Sequence, residues 1–241
     1  MRQYTLLLLA GLLAASCQKQ DAVAPAEAPD PDWLRLEIPT SLSGDEAYSI
    51  AGDLSQTLLV AARQKVYSSA DQGKTWQESY NFFGPVDLLE RNDTVFALKF
   101  FPSSLQGEPV AGFADMYTAD QGKSWHYTAD VYPYEEYRAV RQRVGWAQAA
   151  GITYQTRENT RAIPNSSSRL VLASDLLREE GGRQTSLRLP ARHYLKNLRL
   201  DGQNRLYVAA SSLRFDEQTG EAILPIANNS AVVYVSRKPL P

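Results

Sequence analysis

The sequence predicts an all-β fold, and two observations support that prediction. The chain contains 13 tyrosines and many short apolar runs that are interrupted by Gly, Asn, Asp and Pro, a composition that favours strands over helices. In addition, nine residues occur twice in nearly the same form, as SSADQGKTW at 68–76 and as YTADQGKSW at 117–125, 49 positions later. Such a repeat indicates that one supersecondary unit is used more than once.

The first 16 residues have the pattern of a secretion signal. Arg2 supplies a positive charge, a ten-residue apolar run extends from Leu6 to Ala15, and small residues precede Cys17, as in signal peptides. A membrane-spanning helix needs about 20 apolar residues, and neither this run nor any later segment is that long. We therefore expect a secreted mature protein without a transmembrane helix.

Cys17 is the only cysteine of the chain. The sequence LAASC at 13–17 resembles the lipobox of bacterial lipoproteins, although that family prefers Leu where Ala14 stands. The resemblance implies that Cys17 is lipidated and anchors the protein to a membrane of the bacterial cell envelope, in the outer membrane or facing the periplasm. An ordinary signal peptide that contains a cysteine is the alternative. Residues 17–32 are rich in Pro, Ala and acidic residues and are expected to form a flexible or extended tether.

Residues 33–241 are expected to fold as one domain of moderate size. Without residues 1–16 the chain has 24 basic and 27 acidic residues, a net charge near −3. No basic stripe stands out from the mixed charges, so the composition disfavours a nucleic-acid partner.

Both nine-residue repeats lie within the same kind of larger unit. Each unit has a hydrophobic strand, a tyrosine-bearing strand, a tight Gly turn, and a strand that opens with Thr or Ser and Trp. The segments are 57–62, 65–69, 70–74 and 75–80 in the first unit, and 94–100, 112–118, 119–123 and 124–130 in the second. Less complete repeats of the strand pairs follow at 143–156, 169–189 and 205–237.

The repeated residues resemble the Asp-box, also called the BNR repeat. In that motif Ser or Thr is followed at fixed spacing by Asp, Gly, Thr or Ser, and Trp, and this chain has two complete copies. The resemblance implies a sialidase-like β-propeller of short four-stranded blades. The matching residues are Ser69, Asp71, Gly73, Thr75 and Trp76 in the first copy, and Thr118, Asp120, Gly122, Ser124 and Trp125 in the second.

The chemistry of this turn predicts a structural role for the motif. Gly73 and Gly122 permit the positive φ that a tight turn requires. Asp71 and Asp120 can accept hydrogen bonds from backbone N–H groups of their own turns, and the two tryptophans can fill seams between blades. A metal site at the aspartates would need further ligands, and the chain has only two histidines, so we expect neither a metal nor another cofactor.

The length of the domain limits the number of blades. Propellers have about four to eight blades, and blades of the commonest kind take about 40–45 residues. The 209 residues of the predicted domain therefore favour about five blades, with four possible. The last strand, at 231–237, lacks an outer partner that residues 33–39 can supply, which would close the ring and remove an open edge.

Strand direction alternates within a blade, so the loops after the second and fourth strands share one face, and the Asp-box turns lie on the other. Three long segments, at 101–111, 131–137 and 212–229, map to the first of these faces. Because binding residues tend to lie on loops over a rigid scaffold, we predict a binding face there; solvated loop charges with packed tyrosines are the alternative. The candidate binding residues are Phe101, Tyr132, Tyr134, Glu135, Glu136, Tyr137, Arg138, Arg214, Phe215, Asp216 and Glu217.

These features favour a noncatalytic module that binds an envelope protein or a glycan. A divergent sialidase-like glycoside hydrolase is one alternative, and a factor that assembles or stabilises a membrane complex, which such propellers resemble, is another. The hydrolase would place three convergent arginines beside a tyrosine in the central pocket. No residue is predicted to be catalytic, because the sialidase Arg-Ile-Pro motif is interrupted as RAIP at 161–164 and neither His126 nor His193 lies near a nucleophile motif.

Overall fold

The computed structural model describes residues 29–40, 42, 44–105, 108–224 and 230–240, and the side chains of these residues except at 100–108. In this part of the chain, 17 strands form four antiparallel sheets. Each sheet is one blade of a β-propeller, so the predicted all-β class is confirmed. The blade count is four, the smaller of the two counts that the sequence allowed. The predicted signal at 1–16, Cys17 and the tether up to residue 28 lie outside the described residues.

Blades 1 and 2 contain the two nine-residue repeats, each between the third and fourth strands; we call them Asp-boxes after the motif that they resemble. Blade 1 consists of β2 (Ala47–Gly52), β3 (Leu58–Ala62), β4 (Lys65–Ser69) and β5 (Gln77–Asn81). Blade 2 consists of β6 (Val86–Arg91), β7 (Thr94–Leu105), β8 (Glu108–Thr118) and two short strands on β8, β9 (His126–Tyr127) and β10 (Arg141–Arg143). Between β9 and β10 lie a 3-10 helix (Thr128–Asp130) and helix α1 (Tyr134–Ala139).

Blade 3 joins two segments that the sequence suggests as separate units. Its strands are β11 (Trp146–Ala149), β12 (Ile152–Ala162), β13 (Arg169–Glu180) and β14 (Arg183–Leu187). The long β12–β13 hairpin places the segments 143–156 and 169–189 in one sheet. This pairing is the reason that the ring has four blades rather than five.

Blade 4 is built from both ends of the described chain. Its strands are β15 (Arg192–Leu200), β16 (Leu206–Phe215), β17 (Ala231–Ser236) and β1 (Trp33–Ile38). β1 pairs antiparallel with β17, from Trp33 opposite Ser236 to Ile38 opposite Ala231. The predicted closure of the ring by residues 33–39 is therefore confirmed.

The burial of each strand follows its place in the blade. All five residues of β3 and all six residues of β17 are buried, because both faces of a middle strand are covered by neighbouring blades and call for a continuous apolar run. The outer strands β5 and β14 are largely exposed. The alternation of buried and exposed residues that is typical of half-buried strands is consequently weak in the strands that supply most of the core.

Three of the four seams between neighbouring blades are filled by apolar clusters. These clusters join blade 4 to blade 1, blade 1 to blade 2, and blade 3 to blade 4, so close packing holds the ring together along most of its circumference. In that order, the clusters include Ile38 and Val60, Leu59 and Leu88, and Tyr154 and Leu206.

The seam between blades 2 and 3 is built differently. Its buried cluster contains Leu98, Ala111 and Ala114, all of which belong to blade 2, and Tyr137 and Val140 pack against it. Helix α1 and the residue after it thus cover a face of blade 2 that another blade covers at the other seams. This arrangement leaves a groove beside α1.

The long segments lie at the predicted points of the topology. Residues 101–111 lie largely within the end of β7 and the start of β8. Residues 212–229 include the connection from β16 to β17. Residues 131–137 follow β9, but they contain the start of α1 instead of a loop. No helix within the described ranges has the length and apolar character needed to cross a membrane.

Candidate functional site

In the first Asp-box the Asp71 carboxylate fastens the turn. Its Oδ1 accepts hydrogen bonds from the Thr75 backbone N–H at 2.9 Å and from Ser69 Oγ at 2.9 Å, and its Oδ2 accepts one from Thr75 Oγ1 at 2.6 Å. The hydrogen bonds from Thr75 lower the pKa of Asp71 to about 2, because they favour the charged form. Both carboxylate oxygens are thus engaged within their own turn.

The second Asp-box repeats this geometry. Asp120 Oδ1 accepts from the Ser124 backbone N–H at 2.9 Å and from Thr118 Oγ1 at 2.8 Å, while Asp120 Oδ2 accepts from Ser124 Oγ at 2.6 Å. The hydroxyl of Ser124 is the main cause that lowers the pKa of Asp120 to about 2. Equivalent donors therefore bind the equivalent aspartate in both copies, as expected for a carboxylate that stabilises a turn.

The glycines of the two turns lie against the preceding blade. Gly73 has φ +80° and Gly122 has φ +83°, and a Cβ on either would lie within 3 Å of a leucine side chain: 2.7 Å from Leu36 Cδ2 and 2.8 Å from Leu59 Cδ2, respectively. Glycine is therefore required twice over, for the backbone conformation and for the close approach of the turn to its neighbour.

The Asp-box tryptophans lie at the seams between blades. Trp125 is buried in the cluster between blades 1 and 2, with its ring 5.3 Å from that of Phe82 and its Nε1 donating to Ser79 Oγ at 2.9 Å. Trp76 packs against the cluster between blades 4 and 1, and its buried Nε1 has no hydrogen-bond partner among the described residues. The structure thus places both rings where the sequence predicts them.

The predicted aromatic binding residues around 131–137 are engaged in packing on blade 2. The Tyr132 ring centroid lies 5.8 Å from that of Phe96 and 5.7 Å from that of Tyr117. Tyr137 packs edge-on against Phe113 at 5.5 Å. These rings therefore cover blade 2 with part of their surface and leave the rest to the groove beside α1.

The remaining candidates of this segment lie on the exposed side of α1. The Arg138 guanidinium lies over the Tyr134 ring at 5.2 Å and is 3.6 Å from Glu135 Oε1. Glu136 lines the groove beside α1. Exposed pairs of this kind contribute little to stability.

The candidates at 214–217 lie on blade 4. Phe215 belongs to β16 and is only 3% exposed, so the prediction that it lies on an accessible loop is wrong: the strand extends further than the sequence suggests. Arg214 is exposed at the end of the same strand. Asp216 Oδ1 accepts from the Thr219 backbone N–H at 2.7 Å within a turn, and Glu217 Oε2 is 3.7 Å from Arg188 Nη2.

The structure does not join the two groups of candidates into one site. The residues around α1 belong to blade 2, whereas those at 214–217 belong to blade 4, across the propeller axis. The side chain of Phe101 lies outside the described side chains. Whether either group binds a ligand stays a prediction.

A pocket of about 560 Å³ lies on the propeller axis, where the inner strands of all four blades meet. Ile50 of blade 1, Glu90 of blade 2, Trp146 of blade 3 and Arg199 of blade 4 are among its lining residues. We call this pocket the central funnel. It is the kind of concave site, formed by several rigid elements, that ligands commonly occupy.

The central funnel opens on the face that carries the Asp-boxes. Asn92 and Asp93, in the turn after the inner strand of blade 2, form part of its rim. The equivalent connection of blade 1 reaches the second Asp-box, where Thr57 Oγ1 donates to Gln121 Oε1 at 2.8 Å. The funnel mouth and the candidates at 214–217 thus lie at opposite ends of the axis.

Tyr132, Glu136 and Tyr137, in contrast, line a groove that reaches the funnel rim at Arg91 and Asn92. The prediction that the segment 131–137 lies on the face away from the Asp-boxes is therefore wrong, because α1 folds back along blade 2.

Three arginines line the funnel, and they differ in their partners. Arg199 Nη2 is 2.5 Å from Glu90 Oε2, and its Nη1 donates to the Gly52 carbonyl oxygen. The Arg143 guanidinium lies 5.4 Å above the Trp146 ring. Arg91 is exposed, and neither it nor Arg143 is within ion-pair distance of a carboxylate in the described part of the chain.

A buried polar network forms the floor of the funnel. The Asp87 carboxylate is fully buried and accepts hydrogen bonds from Asn197 Nδ2 at 2.8 Å, from Gln142 Nε2 at 2.9 Å and from Ser49 Oγ. These three donors lie on β15, β10 and β2. One carboxylate thereby connects blades 1, 2 and 4 and the strand that leads into blade 3.

Burial raises the pKa of Asp87 to about 7, against the opposing effect of its hydrogen bonds. The three side-chain donors are neutral, so no positive charge compensates for the lost hydration of the carboxylate. Asp87 is inaccessible to a ligand in the funnel, and its role is to hold the inner strands in place.

The histidines do not form a nucleophilic triad. His193 is buried, with Nδ1 3.0 Å from the Leu213 carbonyl oxygen and Nε2 3.0 Å from the Tyr234 hydroxyl. Burial lowers the pKa of His193 to about 4. His126 Nε2 lies 3.1 Å from Ser124 Oγ, and that hydroxyl already donates a hydrogen bond to Asp120 Oδ2. Among the described residues, no group of three or more His, Cys, Asp or Glu side chains is arranged to hold a metal ion.

Sequence reasoning missed the funnel residues. The available signal was a polar or charged residue inside an otherwise apolar strand, as in VDLLER at 86–91 and KNLRL at 196–200. Asp87, Asn197 and Arg199 are such residues. Their convergence depends on the closed ring, because the strands that carry them are far apart in the sequence.

Comparison with known proteins adds little to the topology. No family model matches the chain, and no curated protein does. Among solved structures, one match is to the S. cerevisiae assembly of a Dbp5 variant bound to Nup159, a Gle1 variant, IP6 and ADP; the identity is 12% and the TM-score 0.20. The match covers 75% of this chain, and the chain spans 41% of the matched chain.

The strand topology therefore defines the class of this protein. It is a four-bladed β-propeller that is closed by its first described strand and carries a polar funnel on its axis. A propeller of this kind suggests a binding module, since its rigid strands present loops and strand ends around a single axis.

Proposed function

We propose that the protein is a noncatalytic binding module of the bacterial cell envelope, anchored by a lipid on Cys17, whose ligand enters the central funnel. The observation that supports this proposal is the funnel itself, which receives lining residues from all four blades and a rigid floor from the Asp87 network. A site built on strands holds its side chains more firmly than a loop surface does.

The contents of the funnel favour binding over glycoside hydrolysis. Three arginines line it, but no tyrosine is among its described lining residues, and Arg199 is already paired with Glu90. A hydrogen-bonded Tyr–Glu pair does occur elsewhere, where the Tyr194 hydroxyl donates to Glu158 Oε2 at 2.6 Å. Burial raises the pKa of Tyr194, which is the wrong direction for a nucleophile.

The Asp-box resemblance supports a scaffold role for the two motifs. Both aspartates are saturated by donors of their own turns, and both glycines and tryptophans lie against the neighbouring blade. In this proposal the motifs fix the hairpins at the outer edge, while the funnel at the axis provides the binding surface.

In this proposal the tether joins the propeller on the side of the funnel mouth. β1 starts on the Asp-box face, where Asp30 Oδ1 accepts from the Trp33 backbone N–H at 2.8 Å. The segment from Cys17 to Asp30 can span at most roughly 45 Å when extended. A tether of this length leaves room for a partner between the membrane and the funnel mouth.

Site-specific crosslinking in intact cell envelopes tests this proposal. A photoreactive phenylalanine analogue is placed at Gln148, an exposed residue of the funnel lining, and in a matched variant at Gln184, which is exposed on the outer strand of blade 3. We expect a discrete adduct from position 148 and none from position 184. Equal labelling from both positions, or none from 148, would refute the funnel as the binding site, and turnover of a fluorogenic glycoside would refute a noncatalytic role.

A further inference from the structure

The two arginines without a carboxylate partner give the funnel a cationic side. The charged residues that line it are Arg91, Arg143, Arg199, Glu90 and Asp93. Since the Arg199–Glu90 pair is internally neutral, the balance at the mouth is set by Arg91 and Arg143 against Asp93. A concave site with excess guanidinium groups attracts anions and binds carboxylates through paired N–H donors.

The aromatic surface of the funnel is only partly free for a sugar ring. Sugar recognition commonly needs an open aromatic face, and the Trp146 ring is the aromatic surface in the described lining. One of its faces is covered by the Arg143 guanidinium at 5.4 Å. The stacked guanidinium keeps its N–H edges available, so this pair is better suited to a carboxylate than to a glycan.

A second pocket adjoins the funnel at Arg91. The groove beside α1 has a volume of about 250 Å³ and shares Leu89, Arg91 and Asn92 with the funnel. Phe96 and Tyr137 line its far side. The groove exists because α1, and not blade 3, covers this face of blade 2. The groove lining is mostly apolar, and it also contains the Glu136 carboxylate on the α1 side. An apolar side chain in the groove and carboxylates at Arg91 and Arg143, away from Glu136, match a chain in which acidic and apolar groups adjoin.

We propose that the funnel and the groove together bind an acidic peptide segment of a partner protein. Carboxylates of the peptide bind Arg91 and Arg143, and an apolar side chain next to them enters the groove at Phe96 and Tyr137. The inference rests on the proposed function, and it names the class of ligand that the same funnel accepts. The peptide is favoured over a single small acid because the two pockets form a site longer than one residue.

Fluorescence anisotropy with labelled decapeptides tests this inference on the protein without its signal. The probe peptide has two adjacent glutamates followed by leucine in a Ser/Gly background. Its first control replaces both glutamates by glutamine, and its second replaces leucine by serine. We expect binding of the probe that weakens as salt is added, at least about tenfold weaker binding of the glutamine control, and a smaller loss with the serine control.

Variants of the two arginines identify the site. Arg91→Gln and Arg143→Gln should each weaken binding of the probe about tenfold, whereas Arg183→Gln should leave it unchanged. Arg183 is an exposed arginine at the start of β14, so it is a matched control for charge. All three sites are exposed, and circular dichroism is expected to show unaltered folding.

Several results would overturn the inference. They are equal binding of the glutamate and glutamine peptides, insensitivity to both arginine variants, and no binding of the probe at about 1 mM. Binding of free glutamate or galacturonate as tight as that of the probe would show that the ligand is a small acid. The proposed function can be tested separately from the ligand class. If crosslinking from Gln148 persists in the Arg91→Gln, Arg143→Gln double variant, the funnel keeps its binding role and the acidic peptide is excluded as its ligand.

Discussion

The Asp87 carboxylate of blade 2 accepts a 2.8 Å hydrogen bond from Asn197 Nδ2 of blade 4. These two blades do not adjoin, so the bond crosses the axis of the propeller. Asn197 Oδ1 in turn accepts from the backbone N–H of Gly145 at 2.8 Å, just before blade 3. The polar floor thus ties the ring together at the one seam where the apolar packing is thin.

Asp87 is expected to make the protein less stable as the pH rises from about 4 to about 7. Burial raises its pKa from 3.8 to about 7, so between these values the folded state binds a proton that the unfolded state has released. The stabilisation is complete below the unfolded pKa and is lost as the pH passes the folded pKa. Urea unfolding across this range should show a falling contribution that Asp87→Asn removes.

The Asp87→Asn variant has one further expected effect. Because the new amide would present its own N–H donors to Gln142 and Asn197, at least one partner must rotate or lose its acceptor, and the midpoint of unfolding should drop at every pH. A variant with unchanged midpoint and unchanged pH profile would contradict the role assigned to this network.

His193 is expected to have the opposite pH dependence. Burial lowers its pKa from 6.5 to about 4, so the unfolded state binds more protons between these values and stability falls as the pH falls through that range. The two slopes oppose each other in the unmodified protein. His193→Gln should leave a profile in which stability falls with rising pH, measured by urea unfolding of both proteins, and an unaltered profile would contradict the burial of a neutral imidazole.

Gly122→Ala is expected to destabilise the protein more than Gly182→Ala does. Both glycines have positive φ, +83° and +78°, but a Cβ at Gly182 meets no atom within 4 Å, whereas one at Gly122 lies 2.8 Å from Leu59 Cδ2. The control should lose about 1 kcal/mol through backbone strain, and Gly122→Ala about 1–3 kcal/mol more through overpacking. Equal losses of unfolding free energy in chemical denaturation would show that the packing between blades 1 and 2 accommodates the added methyl group without cost.

Asp71→Ala should lower the melting temperature and leave ligand binding intact. The variant removes the acceptor for the backbone N–H and the hydroxyl of Thr75, and the loss of about one net hydrogen bond in a chain of this size shifts the midpoint by about 2–4 °C. Asp130→Ala, at an exposed position, is the control. Loss of probe binding at full stability would make the Asp-box a ligand site.

Cys17→Ser tests the proposed anchor. The variant should lose metabolic labelling with a fatty acid and move from the membrane fraction to the soluble fraction of the cell, because its attachment depends on the acyl chains. The unmodified chain, expressed in parallel, is the control. Membrane attachment that survives the substitution would contradict lipidation at this residue.

Local chemistry determined a large part of this structure. The Asp-box turns, their glycines with positive φ, the hairpin turns at Ala150–Gly151 and Gly181–Gly182, and the all-β class follow from residues that are close in the sequence. The closure by β1 was also predictable, because an unpaired outer strand is costly and the first apolar segment was available. These features depend on turn chemistry and edge pairing, which short stretches of sequence express directly.

The tertiary structure alone decided the number of blades, the course of α1 and the funnel. The β12–β13 pairing that makes one blade of two apparent units joins residues as far apart as Ile152 and Glu180. The funnel brings together Arg91, Arg143 and Arg199 from three different inner strands or their neighbours. Such convergence depends on how the ring closes and on which face each strand presents, and no local pattern of side chains encodes the distance between strands that meet only on the axis.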